Sequence, residues 1–165
     1  MPVNRARVFT PNCLALAVAL ALSQPSAHAA APVAPTLSLG DLNGPGIPSV
    51  GFTLTGKAER DRSGVSVSSA GDINGDGIDD LIIGASGTDN YAGESYVVFG
   101  GTEVGDTGTL SLSSLNGTNG FALTGKTAGD RSGDSVSGAG DINGDGFDDL
   151  IIGAFSADPL SLIHI

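Results

Sequence analysis

The sequence is poor in the residues that usually crosslink an exported protein or catalyse reactions. It has one cysteine, two histidines and no tryptophan in 165 residues. Cys13 and His28 lie in the segment 1–29, so a disulfide framework is excluded once that segment is removed. Loss of Arg5 and Arg7 with it leaves five lysines and arginines against 18 acidic residues, a net charge of −13. This charge excludes nucleic acid as a partner.

The segment 1–29 has the layout of a secretory signal peptide. Arg5 and Arg7 precede an apolar run at 13–22, and AHA at 27–29 supplies a cleavage site, so we predict cleavage after Ala29. The alternative is a membrane anchor, but the run is about half the roughly 20 residues needed to cross a bilayer. We therefore expect a secreted or cell-surface protein with no membrane span after cleavage, beginning with a linker at 30–35.

An internal repeat accounts for most of the remaining chain. Three segments recur at one constant offset: 51–57 as 120–126, 61–64 as 130–133, and 70–77 as 139–146. A further match of 36–44 with 109–117 sets the start of the unit. The sequence thus predicts one repeat at 36–104 and a second, incomplete repeat at 105–159. The segment 160–165 resembles a translated transposon-type sequencing adaptor, and the alternative is a genuine apolar tail.

Each repeat predicts four short β-strands and no long helix. Apolar residues alternate with polar ones or form short runs flanked by glycine, at 52–55, 65–70, 81–83 and 95–99. Glycine supplies 26 of the 165 residues, about twice the usual share of roughly 7%, which indicates many tight turns. Four antiparallel strands per repeat predict an all-β fold built from β-propeller blades. The alternative, a β-solenoid, usually has repeats of about 20 to 30 residues.

Two near-identical acidic loops carry the candidate chemistry. The first loop is DINGDGIDD at 72–80 and the second loop is DINGDGFDD at 141–149; together they hold eight of the 18 acidic residues. Calcium takes six to eight oxygen ligands, and alternate residues of a tight loop can supply them. The predicted ligands are the side chains at loop positions 1, 3, 5 and 9 and the carbonyl at position 7: Asp72, Asn74, Asp76, Ile78 and Asp80, and Asp141, Asn143, Asp145, Phe147 and Asp149.

The other acidic residues of the loops, Asp79 and Asp148 at position 8, are expected to point into solvent. An EF-hand begins with the same pattern but needs glutamate at position 12, where this chain has Ile83 and Ile152. A cation is expected because two carboxylates about 4 Å apart repel by about 1 kcal/mol even in water. The loops therefore predict two Ca²⁺ sites between strands.

A second repeated motif, DRSG, stands at 61–64 and 130–133. Arginine binds anions well, so the motif could be a recognition element. Its recurrence before the same predicted strand instead favours a turn with a local aspartate–arginine pair.

With these motifs in view, the sequence resembles the FG-GAP repeats of the integrin α-like β-propeller family. Phe99-Gly100 supplies FG, and GA stands at 84–85 and 153–154, although Ser86 and Phe155 replace the proline that is usual in the family. The resemblance covers about 36–159. It implies that the calcium loop joins the first two strands of a blade and that the chain holds about two repeats of an incomplete ring, since propellers have four to eight blades.

The resemblance implies a calcium-binding extracellular module with a structural or adhesive role and an extracellular protein or glycan as its partner. The alternative is the propeller portion of a larger secreted enzyme, because similar repeats occur in some secreted phospholipases. No catalytic residue is predicted, since neither histidine nor cysteine remains outside the two ends of the chain and no serine has a basic partner.

Overall fold

The structure is a computed structural model that describes residues 51–157, together with the backbone of two short strands outside this range. In chain order the strands are β1 (Ala17–Ala19), β2 (Phe52–Thr55), β3 (Ser66–Gly71), β4 (Asp80–Ala85), β5 (Glu94–Val98), β6 (Thr109–Ser111), β7 (Gly120–Thr124), β8 (Ser135–Gly140), β9 (Asp149–Ala154) and β10 (Leu162–His164). Apart from β1 and β10, the predicted signal peptide, linker and adaptor-like tail lie outside the described residues. Their assignment stays a prediction.

One four-stranded antiparallel sheet, in the order β3-β4-β5-β7, forms the centre of the described region. Ile83 of β4 lies opposite Val67 of β3 on one side and Tyr96 of β5 on the other. The fourth strand, β7, belongs to the second sequence repeat, because GFALTGK begins there. The sheet therefore takes three strands, β3, β4 and β5, from the first repeat and its fourth strand, β7, from the second repeat.

The equivalent strand of the first repeat, β2, lies in a different sheet. It pairs antiparallel with β1 and parallel with β6. The second repeat supplies two strands, β8 and β9, of a third sheet in the order β10-β9-β8. The antiparallel β8-β9 pairing reproduces the β3-β4 pairing with the same register shift near the end of the strand. The prediction of a mostly β-strand chain with antiparallel sheets is confirmed.

Other regular structure is short. A single turn at Thr88–Tyr91 follows β4, and a 3₁₀ turn at Leu112–Ser114 follows β6. Asp89 and Asn90 have positive φ angles of 46° and 53°, so the first of these turns is not a regular α-helix. No helix in the part of the chain that the structure describes is long and apolar enough to span a membrane.

Strand β4 is buried on both faces, as its apolar run predicts. Ile82 and Ile83 are almost completely buried and belong to two different core clusters, because successive side chains of a strand point to opposite faces. One cluster contains Phe52, Leu54, Ile83, Ala85, Tyr96, Val98 and Leu112, and the other contains Ala70, Ile82, Val97, Val136 and Ile152. The second cluster joins the two repeats, since Val136 and Ile152 come from β8 and β9.

The valines of β3 and β8 show how neighbouring sheets decide burial. Val136 is 6% exposed, whereas its equivalent Val67 is 55% exposed. Val136 packs against the preceding sheet in the cluster with Ile82 and Val97, whereas Val67 belongs to neither core cluster of residues 51–157. The alternation of β3 therefore predicts its strand conformation correctly but not its burial.

Candidate metal-binding site

The first loop connects β3 to β4 and is organised around the carboxylate of Asp72. Its Oδ1 accepts hydrogen bonds from the backbone N–H groups of Gly75 (2.8 Å) and Asp76 (3.0 Å), and its Oδ2 accepts one from Gly77 (2.8 Å). Gly77 has φ of 83°, a left-handed conformation that glycine adopts without steric cost. The residue type at position 6 therefore lets the loop curl back over the first aspartate.

The oxygens at positions 3 and 5 also turn back into the loop. Asn74 Oδ1 accepts a hydrogen bond from the backbone N–H of Asp76 (2.9 Å), and Asp76 Oδ1 accepts one from the backbone N–H of Ile78 (2.8 Å). The Asn74 Nδ2 group donates to Asp76 Oδ2 at 3.0 Å. Side chains that the sequence places at alternate positions are thus gathered within one turn of chain.

The second loop, between β8 and β9, repeats the hydrogen bonds that the backbone N–H groups make in this network. Its Asp141 carboxylate accepts from the backbone N–H groups of Gly144 (2.7 Å), Asp145 (3.1 Å) and Gly146 (3.0 Å). The bonds to the residues at positions 3 and 5 recur at 2.8 Å and 3.0 Å. The two loops, one in each repeat, therefore adopt the same conformation because they have the same polar residues at the same positions.

Asp80, at position 9 of the first loop, is the buried carboxylate of the site. It is 1% exposed, and its two oxygens accept hydrogen bonds from the backbone N–H groups of Ile73 (3.0 Å) and Gly100 (2.7 Å). Burial raises the pKa of Asp80 above its ordinary value, the two backbone hydrogen bonds act in the opposite direction, and the charges of Asp76 and Asp72 raise the pKa further. The charges of Asp72 and Asp76 therefore act electrostatically on the carboxylate of Asp80.

Gly100 contributes to the site in a way that the sequence pattern does not predict. A Cβ at this position would collide with the carbonyl oxygen of Asp79 and would lie 2.6 Å from Cγ2 of Ile78. The glycine of the FG pair thus lets the end of β5 come close enough to the first loop to donate to Asp80. The only sequence signal for this contact is the FG pair itself.

Asp149, the equivalent of Asp80 in the second loop, is half-buried. It accepts hydrogen bonds from the backbone N–H groups of Ile142 (2.8 Å) and Asn143 (3.3 Å). The Asn143 Nδ2 group also approaches it at 3.4 Å. In the described residues nothing takes the place of the Gly100 amide beside Asp149, and this carboxylate is more open to water than Asp80.

The donor set of each loop fits a hard divalent cation. Three carboxylates, one amide oxygen and one backbone carbonyl are all oxygen donors, the kind that Ca²⁺ prefers. Across residues 51–157, no three side chains drawn from aspartate, glutamate, histidine and cysteine come together closely enough to hold a metal ion. Two of the five donors predicted for each loop, the asparagine amide oxygen and the backbone carbonyl, are not side chains of these four types. The assignment of the ten ligands therefore stays a prediction.

The position-8 aspartates differ from the sequence-based expectation in one of the two loops. Asp79 is exposed, as expected. Asp148 instead contacts the first loop: its Oδ2 accepts a hydrogen bond from the backbone N–H of Asp72 (2.8 Å), and its own N–H donates to the Asp72 carbonyl at 3.2 Å. The expectation for Asp148 is wrong because it treated each loop alone, whereas the fold brings the second loop against the first.

The DRSG motif forms the predicted turn without the predicted ion pair. Within residues 51–157 the ion pair present is Lys57–Glu94, with Nζ and Oε1 3.1 Å apart. The guanidinium groups of Arg62 and Arg131 stand instead 5.5 and 5.4 Å from the ring centre of Tyr91. The fold places the arginines of two successive motifs beside one aromatic ring. This long-range contact replaces the predicted pair between the arginine and the aspartate next to it in the sequence.

The comparisons with known proteins agree with this architecture. The FG-GAP repeat family matches residues 63–98 and 132–158. The first match runs from the turn before β3 to the end of β5, and the second covers β8 and β9. Integrin alpha-5 of Xenopus laevis is 35% identical over 121 residues, which cover 68% of this chain and 10% of the integrin. Integrin alpha-4 of Xenopus laevis is 32% identical over 103 residues, which cover 62% of this chain and 9% of the integrin.

This chain thus spans about a tenth of the length of those two integrin relatives. Both family matches include an acidic loop together with the strands on either side of it. The chain therefore carries FG-GAP repeats and is distantly similar to the N-terminal region of integrin α subunits.

Proposed function

We propose that this chain is a calcium-binding, extracellular repeat module without catalytic activity, and that each acidic loop holds one Ca²⁺ ion. The observation that carries the proposal is the same hydrogen-bond network in both loops, which turns the oxygen side chains at positions 1, 3 and 5 into each loop. FG-GAP repeats often bind Ca²⁺, which supports the same reading.

The residues that would hold the ion are the ones that the sequence predicts. In the first loop they are Asp72, Asn74, Asp76, the Ile78 carbonyl and Asp80. In the second loop they are Asp141, Asn143, Asp145, the Phe147 carbonyl and Asp149. When bound, the ion supplies positive charge to a loop whose carboxylates repel one another.

The need for that charge is greatest at Asp80. Its carboxylate is buried, and both burial and the neighbouring carboxylates Asp72 and Asp76 act against its ionised form. The backbone N–H groups of Ile73 and Gly100 offset only part of this cost. A divalent cation beside the loop would favour the ionised form, so binding would stabilise the fold as well as the loop.

A structural or adhesive role accounts for the described residues better than an enzymatic one. Integrin α-like FG-GAP repeats are typically non-catalytic, and residues 51–157 contain neither histidine nor cysteine. Repeated antiparallel sheets of this kind would form propeller blades, stiffened by calcium at one end. We propose an extracellular protein or glycan as the partner and a secreted or cell-surface location, with export directed by the segment 1–29.

The proposal is tested by calcium titration of the full chain while thermal unfolding is followed. Extracellular calcium modules bind with dissociation constants of about 0.1 to 1 mM. At about 10 mM Ca²⁺ each occupied site should then add about 1.4 to 2.7 kcal/mol to the free energy of unfolding. Mg²⁺ at the same concentration should stabilise less, because it retains its water ligands. No change in unfolding temperature at millimolar Ca²⁺ would refute the proposal.

Single-site variants assign the effect to the loops. Asp76→Ala and Asp145→Ala should each reduce the calcium stoichiometry by one, because each removes a predicted ligand at position 5. Asp79→Ala is the matched control: it removes a charge from the first loop at a position that supplies no predicted ligand, and it should retain both ions. Loss of an ion in the control, or retention of both in the ligand variants, would contradict the assignment.

A further inference from the structure

The two acidic loops touch each other, and the contact is made by the end of the second loop. Asp148 exchanges two hydrogen bonds with the backbone of Asp72, one through its carboxylate (2.8 Å) and one through its N–H group (3.2 Å). The ring of Phe147 lies against Gly75, where a Cβ would come within 2.6 Å of its Cε1 atom. A Cβ at Gly71 would collide with the Asp148 carboxylate. The first loop is therefore shaped to receive these two side chains.

The same short segment serves both loops. In the second loop, Phe147 supplies the predicted carbonyl ligand and Asp149 the predicted carboxylate at position 9. Asp148, between them, fixes the backbone of Asp72, which is the first predicted ligand of the first loop and accepts three of its amide hydrogen bonds. A change that orders the segment 147–149 should therefore also order the backbone of Asp72.

We propose that the two loops bind Ca²⁺ cooperatively, and that Asp148 is the positioning residue that couples them. The inference rests on the proposed function, because it requires one ion in each loop. Calcium in the second loop orders Phe147 to Asp149, which holds the Asp72 backbone in place before the first loop is filled. The first loop then loses less conformational entropy when it binds its own ion.

The chain contains its own control for this contact. Asp79 holds position 8 of the first loop, equivalent to Asp148, but it is exposed and its carboxylate bonds to no other loop in the described residues. Removing Asp79 therefore takes away the same charge at the same loop position without breaking a contact between loops. Electrostatic repulsion between two bound cations acts against cooperativity, so the interaction between the two ions cannot itself produce a positive result.

The test is a calcium titration of the full chain followed by nuclear magnetic resonance. The backbone amides of Gly77 and Gly146 report the two loops separately, because each donates to the position-1 carboxylate of its own loop. In Asp145→Ala, which lacks the second site, the calcium midpoint at Gly77 should rise about fivefold or more over the wild type. In Asp76→Ala, the affinity at Gly146 should fall by the same factor, because coupling between two sites is reciprocal.

Position-8 variants then test the contact itself. Asp148→Ala should remove the coupling while leaving all ten predicted ligands in place. Asp148→Asn keeps an oxygen that can accept from Asp72, so it should retain most of the coupling despite the lost charge. Asp79→Ala should leave the ratio of the two midpoints as in the wild type. Amide spectra that match the wild type away from the loops show that each variant is folded.

The outcomes separate the two proposals. Absence of calcium binding in the wild type refutes the proposed function and the coupling with it. Two sites that bind independently, with the Gly77 midpoint unchanged by Asp145→Ala, refute the coupling alone. An Asp148→Asn variant that loses as much coupling as Asp148→Ala would also overturn it, because the charge and not the hydrogen bond would then be responsible.

Discussion

Replacing Asp80 with alanine should destabilise this protein more than the equivalent replacement of Asp149, even when no calcium is present. Asp80 is almost completely buried, and its carboxylate is the acceptor for the backbone N–H groups of Ile73 and Gly100. Alanine removes this acceptor from two amides that lie on half-buried residues. Asp149 is half-buried, and water can replace its carboxylate as the acceptor for nearby amides.

The size of the effect follows from these contacts. A hydrogen bond to a charged group contributes about 1.5 to 3 kcal/mol, so loss of two gives about 3 to 6 kcal/mol. Part of this is offset, because burial and the charges of Asp72 and Asp76 already act against the ionised form of Asp80. We expect a net loss of about 2 to 4 kcal/mol for Asp80→Ala and about 1 kcal/mol or less for Asp149→Ala. The larger value is a substantial share of the roughly 5 to 15 kcal/mol that stabilises a typical domain.

The measurement is urea unfolding of the full chain at neutral pH with a calcium chelator, so that loss of a metal ligand does not contribute. Asp80→Asn keeps the shape and one acceptor oxygen, and it should fall between the wild type and Asp80→Ala. Equal losses for Asp80→Ala and Asp149→Ala would refute the reasoning, because the Gly100 amide would then contribute nothing that water cannot replace.

Two further predictions concern the packing of the repeats and the buried tyrosine. Gly84→Ala should cost about 2 kcal/mol or more, because its Cβ would collide with the Gly133 carbonyl of the next repeat, whereas the equivalent Gly153→Ala has its nearest neighbour at 3.5 Å and should change little; equal losses in urea unfolding would contradict this. The Tyr96 hydroxyl donates to Glu94 Oε2 at 2.5 Å, and burial followed by this hydrogen bond raises the pKa of Tyr96 well above its ordinary value of 10.0. The folded state then keeps a proton that the unfolded state releases, so stability is fully present below about pH 10 and declines as pH rises above it. Tyr96→Phe should remove this decline, and an alkaline unfolding profile as steep as that of the wild type would count against it.

The residue pattern alone is sufficient to predict the strands of the chain and the conformation of its acidic loops. Alternating and continuous apolar runs predict the strands, and β4 is buried on both faces as its run of Leu81 to Ile83 implies. The polar residues of the acidic loops determine the loop conformation, because Asp72 and Gly77 form the same turn as Asp141 and Gly146. These features depend on contacts between residues of a single loop or strand. Such residues are close together in the sequence, so the local pattern is enough to predict the contacts.

Contacts between repeats are decided by tertiary structure. The pattern does not show that β7 completes the sheet of the preceding repeat, that the Gly100 amide reaches Asp80, or that Asp148 fixes the backbone of Asp72. It also misassigns Arg62, which stands beside Tyr91 and forms no ion pair with Asp61 in the described residues. The two near-identical loops acquire different contacts because the end of the second loop packs on the start of the first loop. Local sequence determines the conformation of each loop and strand, and only the packing of one repeat on the next determines what each side chain contacts.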